Sequence, residues 1–144
     1  MASMAEAPVL VESYLTMMGL FNKTELSETE RQIILMTNNR LNGCTYCMAA
    51  HTAVSKKFRV DDEVIAALRS GSPINDPKLE ALRQFAIIIH ETHGRPTEEQ
   101  IEAFLAAGYT HHVWDLLSTP RFSSLGDYCS YREKYCQLFS ISLR

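Results

Sequence analysis

Helix-start signals recur down this chain, and the punctuation that separates strands is missing. Ser27-Glu28-Thr29-Glu30 places a serine three residues before a glutamate, the reciprocal pair of a capping box. Asp61-Asp62-Glu63 and Asp76-Pro77 each offer a side-chain acceptor followed by acidic charge or a first-turn proline. Pro96-Thr97-Glu98-Glu99 repeats the pattern. No period-two alternation runs between hairpin turns, and the single Asn-Gly pair, Asn42-Gly43, joins two helix-like segments. Ile87-Ile88-Ile89 would suit a strand alone, but its capped surroundings predict a buried helix.

The pattern predicts an all-α bundle of seven to eight helices with short polar joints. A first helix spans Pro8 to Leu20, with Val11, Leu15 and Met18 on its apolar face. A second opens at Ser27 and fades at Asn38-Asn39-Arg40. A third begins with Cys44 in its first turn, after Gly43, and ends near Lys56-Lys57. Shorter helices run from Asp61 through Leu68, from Asp76-Pro77 to His93-Gly94, from Pro96 to Gly108, and from Thr110 through Leu117. Pro120 interrupts, and a last helix covers Ser123 to Phe139. Tyr14, Phe21, Phe85, Phe104 and Trp114 recur at helical spacing and predict core. Tyr128, Tyr131, Tyr135 and Phe139 form a stripe that closes the core or meets another subunit.

The 144 residues suffice for one domain, spanning 1–144, with a core that needs no covalent staples. A net charge of −3 without a basic run excludes nucleic acid and an anionic membrane surface as obvious partners. No apolar run reaches the roughly 20 residues of a membrane span, and the N-terminus lacks the regions of a secretory signal. A reducing, cytoplasmic compartment follows, where four cysteines are free, catalytic or metal-bound rather than a structural framework.

Chemistry concentrates in Asn42-Gly43-Cys44-Thr45-Tyr46-Cys47-Met48-Ala49-Ala50-His51. On a helix, Cys44, Cys47 and His51 fall within roughly 60° of one another. An imidazole one turn from a thiol can take its proton, and the thiolate is the nucleophile. The unpaired N–H groups of a helix start favour a thiolate as well. A second thiol in reach lets the pair close to a disulfide and reopen, so the stretch reads as a redox or thiol-nucleophile site. Zinc is the competing chemistry: Cys44, Cys47 and His51 make three ligands, with a fourth from Cys129, Cys136, His90, His93, His111 or His112, although no second ligand pair stands at finger spacing. The plain structural reading makes both cysteines small buried hydrophobes. That reading also suits Cys129 and Cys136, as a helix C-terminus suits His90 and His93 and a helix start suits His111-His112.

The Glu30-Arg31-Gln32-Ile33-Ile34-Leu35 segment, the C-x-x-C-x-x-x-H stretch and Pro96 to Tyr109 together resemble the alkylhydroperoxidase D (AhpD) and carboxymuconolactone decarboxylase family over roughly Leu10 to Leu117. The resemblance implies an AhpD-like helical bundle whose two cysteines cycle between dithiol and disulfide. A histidine and an upstream glutamate relay the proton, and neither metal nor flavin is needed. It implies a peroxide substrate, a dithiol or disulfide electron donor, and trimers or hexamers. Cys47, one turn before His51, would be the activated thiol, and Cys44, nearer the surface, would resolve it. The helix N-terminus gives Cys44 a rival claim.

Two positions depart from the family pattern. The family glutamate lies twelve residues before the first cysteine, where this chain has Gln32, which hydrogen-bonds but accepts no proton near neutral pH. The relay is therefore altered, or Glu28 or Glu30 substitutes, or turnover is weak; Glu30 lies about 200° around the helix from Gln32. Tyr46 stands between the cysteines, where some members carry histidine; it donates a hydrogen bond near the thiols or only packs. Members named for decarboxylation do not rely on a cysteine pair. Two functions follow: a thiol-dependent peroxidase or disulfide oxidoreductase, and a non-catalytic redox-sensing or small-molecule-binding protein on the same scaffold.

Overall fold

A computed structural model describes residues 8–118. They form seven helices and no strand: α1 Pro8–Phe21, α2 Glu28–Leu41, α3 Thr45–Lys57, α4 Asp62–Ser70, α5 Pro77–Glu91, α6 Glu98–Ala106 and α7 His111–Ser118. The segment from Ser123 to Phe139, with Cys129, Cys136 and the tyrosine stripe, lies outside the described residues.

Local chemistry sets the helix starts. The Ser27 hydroxyl accepts from the Glu30 N–H, and the Glu30 carboxylate accepts from the Ser27 N–H at 2.8 Å, closing the expected capping box. Asp61 and Asp76 accept from the Glu63 and Leu79 N–H groups. Thr97 and Gln100 close a second box, one residue beyond the Glu98-Glu99 pair that marks this start in the sequence.

Helix α2 is the axis of the molecule, packed against α3, α4 and α5, while α5 also carries α6 and α7. The core joins Ile33, Ile34 and Met36 of α2 to Val64, Ile65 and Leu68 of α4 and to Leu82, Phe85 and Ile89 of α5. Phe104 stacks between Phe85 and Tyr109, with ring centroids 4.0 Å and 4.6 Å away. The Ile87 to Ile89 run is helical, inside α5.

Leu15 departs from the sequence reading: it is 57% exposed. The inward stripe of α1 runs through Val11, Tyr14, Met18 and Phe21, and Leu15 stands 100° round from Tyr14. Helix α1 is anchored mainly by Met18 and Phe21 at its C-terminal end.

Glu80 ties the loop before α5 to the helix. Its carboxylate accepts from Arg83 Nε at 2.8 Å and Nη2 at 2.7 Å, from the Ile74 N–H at 2.8 Å and from Gln84 Nε2 at 2.7 Å. Burial alone would raise this carboxyl, but its hydrogen bonds, Arg83 first, lower it to about 2. With the folded value below the unfolded one, this stabilisation is complete above about pH 4.5 and is lost as pH falls toward 2. Glu80→Gln is expected to lower unfolding free energy by about 2 kcal/mol at neutral pH. It should also flatten that acid limb in urea titrations between pH 2 and 5; an unchanged limb refutes the assignment.

Candidate active site

The site lies where α2 hands the chain to α3. Asn42 caps α2, with its N–H on the Asn38 carbonyl, and Gly43 takes φ 67°, the left-handed turn that an L side chain resists. The Cys44 N–H then reaches back to the Asn39 carbonyl at 2.9 Å. Three residues, Asn42, Gly43 and Cys44, thus join α2 to α3.

Cys44 is the N-cap of α3 rather than a residue of its first turn: its ψ is 90° and its Sγ accepts from the Cys47 N–H at 3.3 Å. The one-face geometry therefore applies to Cys47 and His51, while Cys44 meets Cys47 by curling over the helix start. The sulfurs of Cys44 and Cys47 are joined in a disulfide, with Cα atoms 5.4 Å apart. Both residues are buried, Cys44 at 1% exposure and Cys47 at 7%. This corrects the expectation that Cys44 is the outer thiol: capping turns its side chain inward onto the backbone of α3. In the reduced protein the same N–H and the helix dipole favour a Cys44 thiolate.

His51 follows Cys47 by one turn on the same side of α3. Its Nδ1 lies 2.9 Å from Oε1 of Gln32, across the α2–α3 interface. Gln32 is 3% exposed, and its Nε2 donates to Oε1 of Glu28 at 2.8 Å. The other Glu28 oxygen accepts from Arg31 Nη2 at 2.8 Å, and Arg31 also donates to the Leu26 carbonyl. Burial pushes the His51 imidazole below its ordinary range, and the Glu28 charge opposes this in part, leaving a net depression and a base that is neutral near pH 7. Burial would raise the Glu28 carboxyl, but Arg31 and Gln32 outweigh it and hold it below its usual range.

The other candidates fall elsewhere. Glu30 is turned to Ser27, 2.7 Å from its hydroxyl, with Lys78 Nζ 4.0 Å away, so it does not stand in for the family glutamate. Tyr46 is 56% exposed on the outer side of α3. His90 lies on α5, His93 is exposed beyond it, and His111 and His112 are exposed at the start of α7. Among the described residues no three of His, Cys, Asp and Glu are grouped to hold a metal ion. Of the two carboxylates offered in place of the family glutamate, Glu28 is the one that bonds Gln32, and its four-residue step to Gln32 is the signal that marks it.

A helical bundle that carries a cysteine pair at a helix start, with a half-buried imidazole one turn on, defines a class of thiol-bearing all-α proteins. Residues 11–87 match the model of the carboxymuconolactone decarboxylase family, and the chain belongs to that family, with the AhpD-like helical fold. None of the curated proteins compared with it matches the chain. Among the described residues, no helix is long and apolar enough to cross a membrane.

Proposed function

We propose that this protein is a thiol-dependent peroxidase and disulfide oxidoreductase. The observation that carries this reading is the Cys44–Cys47 disulfide at the start of α3, one turn from His51. His51 takes the Cys47 proton, and the thiolate attacks the distal oxygen of a hydrogen or organic peroxide. The O–O bond breaks, the alkoxide leaves as alcohol with the proton from His51, and sulfur gains two oxidation levels as sulfenic acid. Cys44 then attacks that sulfur; the S–S bond forms, the S–O bond breaks, and the departing hydroxide takes up the Cys44 thiol proton and leaves as water. An external dithiol returns two electrons and two protons by exchange. The cysteine pair favours this chemistry over the decarboxylation for which the family is named. Family resemblance adds assembly into trimers or hexamers.

Alkylation with mass spectrometry tests the reading. Mild peroxide should remove two alkylatable thiols from the reduced protein, both in the peptide containing residues 44–51, and a dithiol should restore them. His51→Ala should slow peroxide turnover by about 10²-fold near neutral pH. Gln32, in place of a carboxylate, favours a second reading: a redox sensor that closes the same disulfide without turnover. Peroxide consumption no faster than that of a free thiol, with the disulfide still cycling, selects the sensor.

A further inference from the structure

Gln32 stands between two groups that dictate its orientation. Glu28 is a carboxylate clamped by Arg31, with Nη2 at 2.8 Å and Nε at 3.3 Å from Oε2, and a carboxylate only accepts. The end of the Gln32 amide that faces it, 2.8 Å away, must therefore be the NH₂ group. Reversing the amide would set two oxygens against each other in a place where Gln32 is buried from water. The amide oxygen is thereby aimed at His51 Nδ1, 2.9 Å away. A carbonyl oxygen only accepts, so Nδ1 carries the proton and Nε2 is left bare.

We infer that Glu28 is a positioning residue: through the fixed amide of Gln32 it holds neutral His51 in the Nδ1–H tautomer and leaves Nε2 as the base for a thiol. The inference rests on the thiol-redox reading for the use of that base, but not for the tautomer itself. A glutamate at position 32 would place its charge directly on the imidazole. Here the charge sits one helical turn away, and the amide passes on only its orientation.

The test is ¹⁵N NMR of histidine-labelled, reduced full-length protein, with the His51 signals assigned from a His51→Gln spectrum. The wild type should show Nδ1 protonated and Nε2 bare in the neutral form. Glu28→Ala should shift His51 toward the Nε2–H form and slow Cys47 alkylation near neutral pH by about tenfold, the low end of what a partner orienting an imidazole contributes. Glu28→Gln, which keeps the length of the side chain but can both donate and accept, should give a mixture of tautomers. An Nε2–H wild type overturns the inference, as does a tautomer unchanged in both variants. A Glu28-dependent tautomer in a protein that fails to reduce peroxide supports the positioning role and sinks the peroxidase reading instead.

Discussion

Cys47→Ser is expected to abolish peroxide turnover, a loss of more than about 10³-fold, whereas Cys44→Ser leaves a protein that reacts with one peroxide per chain and stops. The two cysteines differ in what surrounds them. Cys47 has the imidazole of His51 one turn along α3, and serine in its place offers a hydroxyl that the imidazole cannot ionise to any useful extent. Cys44 caps the helix, with its sulfur on the Cys47 N–H, and serine is among the best residues for that position. Cys44→Ser should therefore keep its melting temperature while losing the partner that condenses with a sulfenic acid. A dione reagent specific for sulfenic acid should label Cys47 in Cys44→Ser after one equivalent of peroxide. Labelling of Cys44 in Cys47→Ser, at an equal rate, would reverse the order of the two sulfurs. Undiminished turnover in both variants would end the thiol cycle as an explanation.

Gly94→Ala should destabilise the protein by about 3 kcal/mol, the larger of two glycine effects. Beyond α5 the chain turns through Thr92, His93 and Gly94, and the Gly94 N–H reaches the Ile89 carbonyl at 2.8 Å with φ 79°. A side chain in that conformation costs about 1 kcal/mol by itself. A methyl group there would also lie 2.7 Å from the carbonyl oxygen of Ser118, the last residue of α7. That neighbour is backbone, so relief requires moving α7 off α5, and overpacking of this kind costs about 1–3 kcal/mol more. Gly71 is the control, with φ 81° and the guanidinium of Arg40 as the obstruction. A flexible side chain can swing away, so Gly71→Ala should cost about half as much. Equal losses in denaturant titrations would refute the distinction between the two obstacles.

Much of the fold was legible because helix starts are local. Ser27 with Glu30, and Asp76 before Pro77, need only their own few residues to form, and both caps stand where the sequence puts them. The bundle's inward faces were less legible. Leu15 fits a helical period as well as Tyr14 does, and the choice between them depends on which helices lie beneath α1. The site divides in the same way. The step from Cys47 to His51 is written in the spacing, as is the meeting of Cys44 and Cys47. The capping role of Cys44 and its deeper burial were not, because they depend on the turn that Gly43 makes. Resemblance pointed to position 32, but the Gln32–His51 contact joins residues 19 apart and exists only once α2 and α3 pack. Glu28 was one of two carboxylates the sequence offered for the missing glutamate; the choice of Glu28 over Glu30 follows from its bond to Gln32.

Every group named in the chemistry, from Glu28 to His51, sits on two successive helices or in the three-residue joint between them. The reacting constellation is thus one contiguous cassette of chain. Helices α6 and α7 make their main contacts with α5 rather than with this cassette, so their movement need not alter the spacing of proton acceptor and sulfur. Variation in the later helices can therefore accumulate while the machinery stays set.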